Sequence, residues 1–313
     1  MSGGPSMEEP RNPGVDRGLT SDGESPPAST AGGTTTVGTA GAFRGEALSW
    51  ELAGGVLEVT LHRAPANEIG TTTLAELEGL VAALYAGAER GTVRAMILHS
   101  AVAGGFCAGA DLRELYAGIT ARRAAGDAEA AIEAEVRGFI DRIHATFDAL
   151  DQAPVTTVAA VHGVVFGGGF ELALCCDLVV ADKSARFAFP ELRLGLVPGF
   201  GGIPRLRRDV GNAVIRDLLL TGRTLSATRA HELGLVSQLV ARGEALNVAR
   251  HVAAQACRFD ADVTRAAKRF IKPLPAGELA REKDLFCALF TSPVVSEALR
   301  RFTESHDARP YLP

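Results

Sequence analysis

The chain has 313 residues, 47% hydrophobic and 22% charged, which is the balance of a soluble globular protein of one large domain or two ordinary ones. A formal net charge of -5 argues against nucleic acid or an anionic membrane as the main partner, and no apolar run reaches the roughly 20 residues that a spanning helix needs. The five cysteines form no CxxC and no Cys/His pair at zinc spacing, so no disulfide framework and no metal site is expected, and a reducing cytoplasm is the expected location.

Residues 1–42 are rich in Gly, Ser, Thr and Pro and contain no aromatic residue; Phe43 is the first. Such a composition buries too little apolar surface to offset its ordering entropy, so a disordered tail is predicted. Its acidic residues (Glu8, Glu9, Asp16, Asp22, Glu24) are unlike a transit peptide. Order is predicted from Phe43 onward. Leu48 to Leu52 and Val56 to Leu61 alternate around Ala53-Gly54-Gly55, the pattern of a hairpin. Leu74, Leu77, Leu80, Val81 and Leu84 recur at helical spacing between Thr73 and Ala86. Val93 to His99 reads as a strand, Ala128 to Leu150 as a helix and Val155 to Val161 as a buried strand. Short strands follow at 178–181 and 185–188. Beyond Ala213 the pattern is helical, with one strand over Leu235 to Val240. Strands alternating with helices indicate an α/β architecture with covered sheets.

Three segments have the composition of a reactive site. Gly104-Gly105-Phe106-Cys107-Ala108-Gly109-Ala110-Asp111-Leu112 follows a strand and opens a helix, as does Gly163 to Leu172 with its glycine run Gly167-Gly168-Gly169. Small residues admit a ligand to the backbone, and the first amides of a helix are free to bind negative charge. The same pattern also serves as a tight packing turn, and neither segment is a phosphate loop. The third segment runs from Phe187 to Gly202 and places Glu191 among apolar residues, as Glu171 is placed between Phe170 and Leu172. Carboxyls in such surroundings have raised pKa values suited to proton transfer near neutral pH, although a helix-start Glu that simply favours the dipole is the plainer alternative.

Taken together, the stretch from Ala160-Val161-His162-Gly163 to Gly202-Ile203-Pro204-Arg205-Leu206, with Thr221-Gly222-Arg223 and Ala230 to Val236 after it, resembles the enoyl-CoA hydratase/isomerase (crotonase) superfamily. The resemblance covers about Leu48 to Leu312. It implies a spiral of ββα units over residues 43–242, carrying the active site, and a helical C-terminal region over 243–313 that packs between subunits of a homotrimer or hexamer. It implies that the amides of Ala110 and Gly168 form an oxyanion hole for an acyl-CoA thioester, with Ala66, Ala108, Asp111, Leu112 and Gly167 around the substrate. CoA enters as part of the substrate, and no separate cofactor is expected. Members that hydrate enoyl thioesters resemble this chain in having acids at both Glu171 and Glu191, so addition of water across a 2,3 double bond is the leading expectation. A dehydratase, isomerase or decarboxylase working on a specialised acyl-CoA or acyl-carrier-protein thioester is the alternative. A binding protein that keeps only the fold is a third.

The match is loose at Pro65-Ala66-Asn67, and the first lysine is Lys183, so an early phosphate contact falls to Arg63 or Arg113. The seven histidines lack a nucleophile partner, and His162 is expected to serve packing or a backbone bond. Cys107 is expected as a small buried filler, Asp111 as a helix-start residue, and the cluster Arg205, Arg207, Arg208 as a solvated helix face.

Overall fold

The computed structural model describes residues 41–305, so the tail expected over 1–42 lies almost wholly outside the described residues, as does the end of the chain from His306. The elements run β1 (Ala42–Arg44), β2 (Leu48–Ala53), β3 (Val56–Leu61), α1 (Thr71–Glu89), β4 (Ala95–Ser100), β5 (Gly105–Cys107), α2 (Leu112–Ala124), α3 (Glu129–Asp151), β6 (Thr156–Val161), β7 (Val164–Phe166) and α4 (Gly168–Cys175). They continue with β8 (Leu178–Asp182), β9 (Arg186–Ala188), a 3₁₀ turn at Glu191–Leu194, α5 (Gly202–Val210), α6 (Asn212–Thr221), β10 (Leu225–Ser226), α7 (Ala227–Glu232) and β11 (Gln238–Val240). The described chain then holds only helices: α8 (Ala245–Ala256), α9 (Ala261–Ile271), α10 (Ala276–Phe290) and α11 (Pro293–Glu304).

Two sheets organise these elements. In the larger, the order is β1-β2-β3-β4-β6-β8-β11, antiparallel through β3 and parallel from β3 to β11. In the smaller, β5, β7 and β9 run parallel side by side, and β10 closes the edge antiparallel to β9. Each pass of the chain thus adds one strand to the large sheet and one to the small sheet: β4 then β5, β6 then β7, β8 then β9. This spiral has a direct consequence for residues distant in sequence. Cys107 pairs with Val165 and Phe166 with Ala188, so the segments leaving β5, β7 and β9 emerge next to one another. Ligands of parallel sheets bind beyond the carboxyl ends of the strands, which is where these three segments sit.

The large sheet is covered on both faces. Met96 and Leu98 of β4 join the main core with Leu74, Leu77, Leu80 and Leu84 of α1, while Ala95 and Ile97 face a second cluster built with Val158, Val180 and α8. Ala245, Ala249 and Ala253 form the buried stripe of α8, and their small size lets that helix lie close on the strands. Burial on both faces explains why β4 and β6 read as apolar runs rather than as alternating strands.

Several boundaries move. The strand expected over 235–240 is confined to Gln238–Val240, because Leu235 and Val236 bury themselves in the turn leaving α7. Asp111 caps α2 by accepting from the Glu114 amide, as a helix-start residue should. The arginine cluster is a correction. Arg205 is fully buried and Arg208 nearly so, held by Asp148 and Asp151 from α3, and only Arg207 faces solvent. Helical spacing placed all three on α5 but could not show that the carboxylates of α3 lie against it.

Candidate active site

The first site segment leaves β5 and turns into α2. Gly109 adopts φ +113, and a Cβ there would stand 3.2 Å from the Gly168 amide nitrogen, so only glycine lets the two strand-end turns meet. The second segment leaves β7 through Gly167, at φ +47, and begins α4 at Gly168. The Ala110 nitrogen lies 3.5 Å from the place where a Gly168 Cβ would stand, so the two amides border the same space. Among the described residues neither amide donates a hydrogen bond: the neighbouring Ile69 and Asp111 amides are engaged, and Gly168 occupies the first turn of its helix. Two unpaired amides and a helix start converge beside one cavity.

That cavity has a volume of about 60 Å³. Ala108, Ala110, Gly167 and Gly168 line it on one side; Leu112, Val136, Phe139, Ile140 and Phe286 supply an apolar wall; Glu171 and Glu191 both open into it. A second cavity of about 180 Å³ shares Ala110, Leu115, Val136 and Phe139 with it and runs out between α2 and α3.

The two carboxyls are held differently. Glu171 is buried on α4, and its Oε1 accepts from the amides of Phe200 and Gly202, each at 2.8 Å. Burial pushes its pKa up, the two amides and Arg205 pull it back, and the balance lies at about 7. Glu191 starts the 3₁₀ turn after β9. Its Oε2 is buried and has no hydrogen-bond partner among the described residues. Burial and then repulsion from Glu171 hold its pKa well above the usual carboxyl range. Near neutral pH the arrangement therefore favours an ionised Glu171 facing a protonated Glu191, with one oxygen of Glu191 unsatisfied until something binds.

The structure brings together Glu171, Glu191, Ala110, Gly168, Ala108, Leu112 and Gly167. It leaves Ala66 off the cavity wall, where its carbonyl accepts from the Ala108 amide and so props the first turn from behind. Asp111 lines only the second cavity, and Arg63 engages its carboxylate at 2.8 Å. Of the arginines suggested for phosphate, Arg63 is thus paired, and Arg113 donates to the Thr303 carbonyl and lies over the Phe302 ring. Cys107 is buried, its thiol pushed up to about 12 by burial, and its Sγ donates to the Asn67 carbonyl; it is a filler, not a nucleophile. His162 hydrogen-bonds the Val102 carbonyl. Among the described residues no group of His, Cys, Asp and Glu is arranged to hold a metal.

The wall residues Val136, Phe139 and Ile140 of α3 escaped the sequence reading, as did two contributors from elsewhere: Phe286, which walls the cavity, and Glu282, which lies behind it. These two come from α10, whose buried stripe is Leu279, Glu282, Phe286 and Phe290. A carboxylate inside an apolar stripe at helical spacing was the available signal.

Comparison with known proteins identifies the family. The mouse enoyl-CoA hydratase domain-containing protein 2, mitochondrial, is 40% identical over 198 residues, covering 63% of this chain and 62% of that protein. The chain thus spans less than two thirds of that relative's length. The probable enoyl-CoA hydratase echA8 of Mycobacterium bovis is 34% identical over 251 residues, covering 79% of this chain and 90% of its own. A solved enoyl-CoA hydratase from Bacillus anthracis superposes with a TM-score of 0.64 at 30% identity, over 82% of this chain and 96% of that one. With the family model for enoyl-CoA hydratase/isomerase matching residues 51–309, nearly the whole described chain, the protein belongs to the enoyl-CoA hydratase/isomerase family.

Proposed function

We propose that the protein adds water reversibly to the 2,3 double bond of an enoyl-CoA thioester. The observation that carries this reading is the convergence on one cavity of two carboxyls, Glu171 held by two amides and Glu191 with one oxygen unsatisfied, and two unpaired amides. The thioester oxygen is taken to sit at the Ala110 and Gly168 amides, with the helix start of α4 adding positive potential. As charge builds on that oxygen, each amide stabilises it by on the order of 3 kcal/mol. Glu171, ionised and fixed by two amides, takes a proton from water as its oxygen attacks the β-carbon. Glu191, protonated, delivers a proton to the α-carbon of the enolate. Hydration needs both tasks, and the two acids are biased toward opposite protonation states by their surroundings.

The apolar wall of Leu112, Val136, Phe139, Ile140 and Phe286 suits an acyl chain, and the second cavity supplies further length. Assembly into a trimer or hexamer belongs to the same reading. Phe259, Val263, Phe270 and Ile271, on and beside α9, are 57–87% exposed, a density of large apolar side chains that supports burial against another copy.

The test is to follow loss of the conjugated thioester absorbance with a panel of enoyl-CoA esters of rising chain length. A 3-hydroxyacyl product is expected. Isomerised product without hydroxyacyl product would overturn hydration in favour of double-bond migration.

A further inference from the structure

We propose that Glu282, on α10, is the positioning residue that holds Glu171 in place; this rests on the reading of Glu171 as the general base. The turn between the 3₁₀ segment and α5 presents four consecutive amides. Phe200 and Gly202 donate to Glu171 Oε1, both at 2.8 Å. Gly201 donates to Glu282 Oε1 at 2.7 Å and Ile203 to Glu282 Oε2 at 2.8 Å. The amides alternate between two buried carboxylates, so the turn is clamped between them.

The clamp matters because the turn has little stiffness of its own. Residues 199, 201 and 202 are glycine, and Gly201 sits at φ +99. Its carbonyls are also held: His144 Nε2 donates to Gly199, and Arg205 Nη1 donates to Phe200 and Gly201. Those bonds fix the turn toward α3. Glu282 alone among them takes amides interleaved with the pair that Glu171 uses. Without it, one buried and one partly buried N–H group lose their acceptor, and the turn must rotate to find another. Such rotation would move the Phe200 and Gly202 amides that aim Glu171. Glu282 does not line the cavity, so it acts through Glu171 rather than on substrate.

The test combines kinetics with a cycle. Glu282→Gln keeps the size but offers one acceptor oxygen in place of two. Glu282→Asp keeps both carboxyl oxygens but falls one methylene short, and it serves if the Gln variant fails to fold. Either is expected to lower kcat at least tenfold with KM within threefold. Combined with Glu171→Gln, the second change is expected to cost less than twofold, because its effect runs through a group already removed. Full kcat in the single variants, or losses that multiply in the double variant, would overturn the proposal. Amide hydrogen exchange keeps the two readings separable. If Glu171→Gln retains full rate, the hydration mechanism fails, yet Glu282→Gln should still speed exchange at Phe200 and Gly202 at least tenfold. Unchanged protection there would overturn the clamp itself.

Discussion

Replacing Glu171 by glutamine should make the protein more stable while nearly abolishing its activity. The side-chain oxygen of glutamine can still accept from Phe200 and Gly202, so the turn keeps its bonds. What disappears is the base, and general-base catalysis contributes about 10²–10⁴ in rate, or about 3–5 kcal/mol of barrier. The stability change has the opposite sign. Burial raises the carboxyl from its usual 4.5 to about 7. A carboxyl raised in the folded state binds its proton more tightly there than when unfolded. The native state is therefore penalised as pH climbs from 4.5, and the penalty is complete above 7. At about 1.4 kcal/mol per unit the penalty comes to about 3–4 kcal/mol. For a chain of this size that corresponds to a midpoint shift on the order of 5–10 °C. The measurements are kcat by loss of the conjugated thioester absorbance, and thermal midpoints of both proteins at pH 5 and pH 8. The variant's advantage should be larger at pH 8. A variant less stable than the parent at pH 8, or one with kcat within fivefold of it, would refute the reasoning from buried charge to base.

Three further outcomes follow from the same geometry. In the parent protein kcat/KM should rise with pH through about 7 as Glu171 loses its proton, then fall at higher pH as Glu191 ionises; a profile flat between pH 5 and 8 would contradict the assignment. Gly167→Ala places a methyl 2.7 Å from Glu191 Oε1 at φ +47, so strain of about 1–3 kcal/mol should appear in denaturant unfolding together with a loss of kcat larger than that of KM. Asp151→Asn leaves Arg205, Arg208 and Lys272 facing a neutral group, and unfolding free energy at pH 7 should drop by about 3–5 kcal/mol. Burial alone would raise the Asp151 carboxyl, but Lys272, Arg205 and Arg208 outweigh it and hold its pKa low, so this deficit should shrink as pH falls through the native carboxyl's titration below about 4.

The sequence made the fold largely legible because its signals are local. Alternation gave the β2–β3 hairpin, a 3.6 period gave α1 and α3, and apolar runs gave β4 and β6, each to within a few residues. Of the three-residue strands in the small sheet, β9 was read at 185–188, while β5 and β7 carried no such periodicity and showed only through the glycines around them. Family resemblance supplied what periodicity could not, namely that Ala110, Gly168, Glu171 and Glu191 share one cavity. Neither showed the burial of Arg205, which looked like a surface residue because its partners Asp148 and Asp151 lie more than fifty positions away on α3.

Two of the residues that sequence reasoning missed share a physical cause. Glu282 and Phe286 belong to a helix outside the repeating β-β-α path, and they reach the site only because α10 packs back against α3 and α5. The spiral fixes the amides and both acids through strand register, which is short-range once the chain has coiled. It does not fix the last wall of the cavity or the outer half of the clamp on the Gly199–Ile203 turn. Those depend on long-range docking of the C-terminal helices. Loss of α10 docking should therefore release Glu171 and open the acyl wall, while strand register still holds the amide pair together.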